Sequence, residues 1–212
     1  MDLRTKRLEK VYSMWAPIYD VVFGPHMEEG RRVGVEVLSL SRGERVLEVG
    51  FGTGLTLRYY PDLELEIHGI DISEKMLEKG IARARKYSEK SSNRIEIRLM
   101  DAHELDYPSS YFDAVFCPYV LTVVPDLNRV CGEIKRVLKR GGRLVAVNHA
   151  PRRKGVLRLL EEKASPLFQR LGFATHIDVE DYVRGSGFKV DFRERVGILK
   201  LYKVVRGYKL ED

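Results

Sequence analysis

Short apolar runs alternate with amphipathic stretches through the middle of this chain. Five runs have the length and composition of buried strands, and they lie at residues 46–49, 65–71, 94–99, 112–116 and 143–147. Apolar residues recur every three to four positions elsewhere, which predicts helices at residues 27–40, 55–60, 73–84 and 126–139. Strands that alternate with helices predict an α/β domain built on an open, mostly parallel sheet.

Further segments flank this pattern on both sides. At the start, an amphipathic helix ends before Pro17, and its apolar face consists of Leu8, Val11, Tyr12 and Trp15. Residues 151–172 predict a second basic amphipathic stretch. Residues 188–196 and 199–205 alternate between apolar and polar positions, which predicts a final antiparallel pair of strands.

The first predicted strand ends in a turn with three alternating glycines, Gly50, Gly52 and Gly54. Glycine allows the backbone to approach a ligand where a side chain would block it, so the turn suggests a nucleotide-like cofactor. Glu48 stands just before the turn, and its negative charge would repel a phosphate but suits an ammonium or a sulfonium. The alternative is a glycine-rich turn without a ligand.

Acidic residues also follow the second and third strands. Asp71 comes roughly twenty residues after the glycines, where a carboxylate can accept hydrogen bonds from both hydroxyls of a ribose. Ile72 and Met76 would lie beside Asp71 and could enclose an adenine ring, whose amino group Asp101 could contact. Each acid could instead be an ordinary residue of a helix start or a solvated loop.

The carboxyl ends of parallel strands meet at one edge of a sheet, where ligands bind. In this chain those ends carry Glu48, Asp71, Asp101, residues 117–119, Asn148 and His149. We therefore expect one site at this edge and one domain over residues 1–212. Its parts are a helical lid or membrane-contact segment at 1–40, a cofactor-binding core at 41–150, and a basic helical segment with a C-terminal hairpin at 151–212.

The charge distribution favours an anionic partner. The formal net charge is +6, and basic side chains concentrate in the N-terminal helix and after the fifth strand. The two groups predict contact with an anionic membrane surface, and they are Arg4, Lys6, Arg7 and Lys10, and Arg152, Arg153 and Lys154. The alternative for each group is an ordinary solvated helix face.

Other features limit the protein's location and chemistry. No apolar run approaches the roughly 20 residues that span a bilayer, and charges occupy the position of a signal peptide's apolar core. We therefore expect a cytoplasmic, peripherally membrane-associated protein. Cys117 and Cys131 form no CxxC pair, which predicts reduced structural thiols and no metal site. The high charged fraction, 32%, hints at a thermophilic source.

Together the motifs resemble the class I S-adenosylmethionine-dependent methyltransferases. The likeness covers about residues 44–148 and rests on residues 48–54, 71–73, 100–102 and 138–143. It implies a Rossmann-like, seven-stranded sheet in the order 3-2-1-4-5-7-6 with strand 7 antiparallel, S-adenosylmethionine as cofactor and S-adenosylhomocysteine as product. The implied cofactor-binding residues are Glu48, Gly50, Gly52, Thr53, Gly54, Asp71, Ile72, Met76, Asp101, Ala102 and Cys117.

A narrower likeness, at residues 12–24, 118–126 and 148–149, is to bacterial phospholipid N-methyltransferases. It implies stepwise methylation of phosphatidylethanolamine toward phosphatidylcholine at the membrane surface. An ethanolamine head group must lose a proton before it attacks, and His149 is the candidate base. Tyr19 shares the catalytic assignment, and the substrate-binding residues are Tyr12, Tyr19, Tyr119, Asn148 and His149.

Rival functions remain open at this point. Prenylated-quinone C-methyltransferases share the Tyr19-Asp20 start and the general fold, so a quinone precursor is the first alternative substrate. An RNA methyltransferase would explain the basic charge, but residues 117–119 lack the usual motif for methylating base amino groups, so we expect no nucleic-acid partner. A non-catalytic cofactor-binding adaptor would retain the same fold. We expect a monomer.

Overall fold

The computed structural model describes residues 3–150 and 178–210. The basic stretch expected at residues 151–172, with Arg152, Arg153 and Lys154, lies outside the described residues.

Within the described residues, seven strands form one sheet. They are β1 to β7 in chain order, at Arg45–Val49, Glu66–Asp71, Arg94–Leu99, Phe112–Pro118, Leu138–His149, Phe188–Val196 and Tyr202–Lys209. The spatial order is β3-β2-β1-β4-β5-β7-β6. Strands β1 to β5 pair in parallel, and β7 is antiparallel to both of its neighbours. This confirms the predicted fold class and strand order.

Six α-helices belong to the described part of the chain. They are α1 to α6, at Leu3–Trp15, Tyr19–Val22, Glu28–Leu38, Glu74–Ser88, Leu127–Val137 and Val179–Gly185. Ser73, Asp126 and Asp178 cap α4, α5 and α6, because each side chain accepts a backbone N–H from the first turn of its helix. The helix starts predicted at residues 73 and 126 are confirmed.

Helices cover both faces of the sheet. On one face, α3 and α4 pack Leu38 and Leu77 against Val46 and Phe116 of the strands. On the other face, α5 and α6 contribute to a second apolar cluster, whose members include Leu47, Val115, Ile134 and Val183. Burial on both faces explains why the central strands are continuous apolar runs.

Two predicted helix boundaries are wrong. Residues 55–60 contain only a short 3₁₀ helix, Leu57–Tyr59, because Pro61 holds the preceding Tyr60 in an extended conformation. Helix α5 ends at Val137 rather than near residue 139, since Leu138 already pairs with Phe112 of β4. The glycines at 141 and 142 then lie at an irregularity inside β5, where Gly141 has a φ of +73°.

The N-terminal helices lie across the carboxyl edge of the sheet. Helix α1 contacts α4 through the hydroxyls of Ser13 and Ser73, which are 3.0 Å apart. Lys79 of α4 donates to the carbonyl oxygens of Ala16 and Pro17 at 2.5 and 3.1 Å. We call α1 and α2 together, residues 3–23, the N-terminal cover. Among the described helices, none is long and apolar enough to cross a membrane.

Candidate cofactor and substrate site

A cleft lies between the N-terminal cover and the carboxyl ends of the central strands. Its empty volume, part of which is open to solvent, is about 660 Å³. The residues predicted for the site that line it are Tyr12, Tyr19, Gly50, Gly52, Asp71, Ile72, Met76, Asp101, Ala102 and Tyr119. The structure therefore brings these predicted residues together around one cleft, and the cover lies on the side opposite the sheet.

The glycine turn forms one wall. Gly50, Gly52 and Gly54 all have positive φ, at +75°, +55° and +74°. A Cβ on Gly50 would lie 2.1 Å from Val120 Cγ2, so the turn also depends on close packing against the loop after β4. Gly50 and Gly52 line the cleft, which leaves backbone rather than side chains facing a ligand.

Asp71 stands at the end of β2, opposite this turn. Its Oδ2 accepts the N–H of Gly52 and its Oδ1 accepts the N–H of Ser73, both at 2.9 Å. Burial raises the pKa of Asp71 to about 6, although backbone hydrogen bonds oppose this shift. Each carboxylate oxygen keeps a second lone pair, so Asp71 can still accept two hydroxyl groups.

A third wall follows β3, and it contains a residue that the sequence argument missed. His103 lines the cleft, and its Nδ1 lies 2.6 Å from Asp101 Oδ1. The other ring nitrogen, Nε2, accepts the N–H of Asp126 at 3.3 Å, so Nδ1 carries the proton that Asp101 accepts. His103 thus orients the Asp101 carboxylate. Its position just after β3, close to Asp101 in sequence, indicated that it could lie near the site, but nothing in the sequence showed where its ring points.

The N-terminal cover is attached to the glycine turn by one carboxylate. Asp20 accepts the hydroxyl of Thr53 at 2.5 Å and Nη2 of Arg83 at 2.8 Å. Burial raises the pKa of Asp20, but the hydrogen bonds from Arg83 and Thr53 outweigh it and leave this pKa below its usual value. Thr53, predicted to bind the cofactor, uses its hydroxyl in this contact and does not line the cleft.

Three tyrosines form the aromatic part of the cleft. The rings of Tyr12 and Tyr19 are 6.5 Å apart. Burial raises the phenol pKa of Tyr12, Tyr19 and Tyr119, so all three hydroxyls stay protonated near neutral pH. Tyr119 donates its hydroxyl to the carbonyl oxygen of Met27 at 2.8 Å, and the guanidinium of Arg31 lies over its ring. Tyr12 and Tyr19 are therefore the tyrosines whose surfaces face a ligand most directly.

Several predicted contacts lie behind the walls instead. Glu48 is fully buried, accepts the hydroxyl of Tyr60 at 2.9 Å, and has its pKa raised to about 7 by burial. Successive side chains of a strand point to opposite faces, so Val49 lines the cleft while Glu48 points away from it. Cys117 is buried in the core, where burial raises its thiol pKa. Gly54 serves the turn without lining the cleft.

The two residues predicted at the end of β5 also lie outside the lining. Asn148 is buried and donates to the hydroxyl of Thr122 at 3.0 Å. The His149 ring packs edge-on against Tyr202, with centroids 6.4 Å apart, and Tyr202 in turn packs against Tyr119. Two aromatic rings thus connect His149 to the cleft, which gives it no direct contact with a ligand there.

The comparisons with known proteins agree with this geometry. A family model described as "Methyltransferase domain" matches residues 47–146. Phosphatidylethanolamine N-methyltransferase from Cereibacter sphaeroides is 41% identical over 175 residues, which cover 82% of this chain and 83% of that protein. Demethylmenaquinone methyltransferase from Tropheryma whipplei is 32% identical over 154 residues, which cover 70% of this chain and 62% of the relative.

The fold also recurs among solved structures. The cyclase SpnF matches with a TM-score of 0.77 at 20% identity, covering 97% of this chain and 96% of that chain. This likeness concerns the fold alone, because one fold hosts different chemistries. The sequence relatives show the family as well as the fold. The chain belongs to the class I S-adenosylmethionine-dependent methyltransferases.

The cleft fits S-adenosylmethionine, the cofactor of this class. Gly50 and Gly52 allow close approach along one wall, because neither places a side chain in the cleft. Asp71 has lone pairs for the ribose hydroxyls, and Ile72 and Met76 supply apolar surface beside it. The protein is a methyltransferase, and its described residues form a cleft that can hold this cofactor.

Proposed function

We propose that this methyltransferase N-methylates the head group of phosphatidylethanolamine, stepwise toward phosphatidylcholine, at the surface of an anionic membrane. The observation that carries the proposal is the 41% identity to a phosphatidylethanolamine N-methyltransferase over most of both chains. The surface of the N-terminal cover and the aromatic cleft support it independently.

The outer face of the cover suits a lipid surface. Leu3, Arg7, Lys10 and Met14 follow one another at helical spacing along α1, and Leu3 and Met14 are 85% and 74% exposed. Exposed apolar side chains next to basic ones suit contact with an anionic lipid surface, because the apolar groups can enter the interface while the basic groups lie near the lipid phosphates. The remaining basic residues of the predicted group, Arg4 and Lys6, are exposed as well.

Two more exposed apolar side chains belong to α2 and to the β6–β7 turn. In α2, Val21 is 80% exposed, and at the β6–β7 turn Ile198 is 66% exposed. Gly197 donates its N–H to Glu29 of α3 at 2.9 Å, so the turn is held beside the connection from α2 to α3. Single exposed apolar residues are common, but a group that surrounds a site indicates an interaction surface.

The cleft can hold and align an amine. The bound cofactor supplies an electrophilic methyl group on its sulfonium. The rings of Tyr12 and Tyr19 offer π faces to an ammonium group, and the protonated Tyr19 oxygen can accept an N–H from the neutral amine. The cover excludes water during transfer. Because His149 does not line the cleft, the head-group ammonium would lose its proton to solvent before it is covered, and methyl transfer would then convert the neutral amine to a methylated ammonium and the sulfonium to a thioether.

The test is methyl transfer from labelled S-adenosylmethionine to mixed vesicles of phosphatidylethanolamine and an anionic lipid, followed by separation of the lipids. We expect labelled mono-, di- and trimethylated head groups. Replacing Met14 and Val21 by Ser should weaken vesicle binding roughly tenfold per residue without changing cofactor affinity. Leu99→Ser, which removes an apolar side chain that is 60% exposed on β3, is the matched control. No labelled lipid with intact cofactor binding would contradict the proposal.

A second candidate acceptor is a demethylated quinone, favoured by the identity to a demethylmenaquinone methyltransferase. This reaction would use the same cofactor site and place an aromatic ring between Tyr12 and Tyr19. Label on a quinone added to the same vesicles, with none on phosphatidylethanolamine, would select it.

A further inference from the structure

A buried arginine lies behind the tyrosines of the cleft. Arg31, near the start of α3, is 4% exposed, and among the described residues no carboxylate forms an ion pair with it. The adjacent Arg32 shows the usual arrangement, because it is 49% exposed and pairs with Glu36 at 2.7 Å. The buried Glu48 carboxylate attracts the guanidinium, which opposes the rise in the Glu48 pKa, but the two form no ion pair. A buried guanidinium without a direct anionic partner is unfavourable, so its retention needs a reason.

The hydrogen-bond partners of Arg31 are neutral groups, and they include the Tyr19 oxygen, whose pKa Arg31 lowers against the larger effect of burial. Nη1 donates to the carbonyl oxygen of Gly24 at 3.2 Å, and Nη2 donates to the Met27 sulfur at 3.8 Å. The Tyr19 hydroxyl points to the same sulfur, at 4.0 Å. A thioether is a poor acceptor, so two donors meet where an anionic oxygen would bind far better.

This place is one side chain away from the cleft. Tyr19 and Tyr119 both line the cleft, and the Arg31 Cζ atom lies 5.5 Å from the Tyr119 ring centroid. Met27 is unbranched and adaptable, so displacement of its thioether would connect the cleft with the two donors. The guanidinium therefore lies within reach of a ligand that extends past Tyr19.

We propose that Arg31, together with the Tyr19 hydroxyl, binds the phosphodiester of the substrate head group. The planar fork of an arginine matches two oxygens of one phosphate. In an ethanolamine phospholipid two carbons separate the phosphate ester oxygen from the amine, so an anchored phosphate restricts where the amine can lie. The inference rests on the proposed function, since it concerns the other half of the same head group.

The first experiment compares two acceptors in identical vesicles: phosphatidylethanolamine and a long-chain N-alkyl ethanolamine that lacks phosphate. Arg31→Gln should raise KM for phosphatidylethanolamine roughly tenfold to a hundredfold, the range for losing charge-assisted hydrogen bonds. It should change KM for the phosphate-free amine less than about twofold. Arg31→Lys keeps the charge without the fork and should fall between, and Arg32→Gln should match the native enzyme.

A second readout needs no turnover. Glycerophosphoethanolamine and inorganic phosphate are titrated separately into the complex with S-adenosylhomocysteine. We expect Arg31→Gln to abolish binding of both, and binding of the head-group compound to be tighter than that of phosphate alone. Phosphate binding as tight as the head-group compound would identify a free-anion site and overturn the assignment to a lipid.

The cofactor affinity and unfolding midpoint of each variant separate this role from a structural one. Equal losses for both acceptors, or binding of the phosphate probes that does not depend on Arg31, would overturn the inference. If Arg31→Gln does not fold, Arg31→Lys gives the same comparison. If Arg31→Gln methylates phosphatidylethanolamine as well as the native enzyme does, this inference alone is refuted. If phosphate binding depends on Arg31 but no lipid is methylated, the proposed function alone is refuted.

Discussion

The two sides of the cleft are built in different ways. On the sheet side, backbone groups dominate: three glycines with positive φ form the turn, and backbone N–H groups hold Asp71. On the cover side, side chains hold the structure, through Asp20 with Thr53 and Arg83 and through the hydroxyls of Ser13 and Ser73.

This difference separates fixed from adjustable parts of the site. Backbone in a strained turn at a strand end has few alternatives, so the sheet side is set once the sheet forms. Contacts between partly exposed polar side chains contribute little each and can break one at a time. The cover can therefore open without disturbing the cofactor-binding wall, which an enzyme with an enclosed cleft requires for exchange.

Substitution of Gly50 in the glycine turn should destabilise the sheet side of the cleft more than any other change considered. Gly50→Ala adds a Cβ at a φ of +75° and 2.1 Å from Val120 Cγ2, so strain and overpacking combine. We expect a loss of about 2–5 kcal/mol in the free energy of unfolding, measured with urea. Gly43→Ala is the control, because its φ is +74° with no atom within 4 Å, and it should cost about 1 kcal/mol. Equal losses would show that packing against Val120 does not matter.

Removal of the Asp71 charge should weaken the cofactor without unfolding the protein. Asp71→Asn should lower affinity for S-adenosylhomocysteine about a hundredfold, as expected for weakening two hydrogen bonds to a carboxylate. Isothermal titration measures this affinity. The amide of this variant has one oxygen for the two backbone N–H groups that Asp71 accepts, so the unfolding midpoint should fall slightly, and a variant that is still folded at the titration temperature serves as the control. An effect below about threefold would mean that the ribose does not bind at Asp71.

The pH dependence of cofactor binding to the native protein tests the same role of Asp71. Burial raises the pKa of Asp71 to about 6 in the free protein, whereas binding hydroxyl groups requires the carboxylate. Protonation therefore competes with the cofactor: affinity should be constant above pH 7 and fall up to about tenfold per pH unit below 6. Asp71→Asn should lose this dependence. Retention of the slope would assign it to another group, such as Glu48, whose pKa is about 7.

Loosening the cover should have the smallest effect. Asp20→Asn weakens the contacts with Thr53 and Arg83, and we expect S-adenosylhomocysteine to dissociate about three to five times faster with little change in stability. Stopped-flow displacement measures this rate. Asp181→Asn removes an exposed carboxylate on α6 and should leave it unchanged. A rate unaffected by Asp20→Asn would mean that this carboxylate does not limit release.

The sequence predicted the sheet side better than the cover for a physical reason. Strand periodicity and glycines are local features, so the positions of Gly50, Gly52 and Asp71 follow from short segments. Side-chain direction at a strand end depends on register, which local pattern does not define. Glu48 was consequently expected at the ligand, whereas its side chain points into the opposite layer and bonds Tyr60.

Contacts between side chains that are distant in sequence could not be predicted from local sequence patterns. The contact of Asp20 with Arg83 joins residues 63 positions apart, and nothing in the sequence of either segment predicts this contact. Arg31 illustrates the same limit, because its burial behind Tyr119 becomes visible only when α3 is placed against β4. The predicted helix boundaries were wrong for local reasons. One of these is the extended conformation that Pro61 imposes on Tyr60.

The position of β7 has a consequence for how the protein is made. β7, Tyr202–Lys209, lies between β5 and β6, and it hydrogen-bonds to both. While the ribosome is still adding these residues, β5 presents an open apolar edge and β6 has no neighbour in the sheet. The sheet can be completed only after Lys209 has left the ribosome, and until then the nascent chain exposes an unpaired strand edge, a feature that favours aggregation.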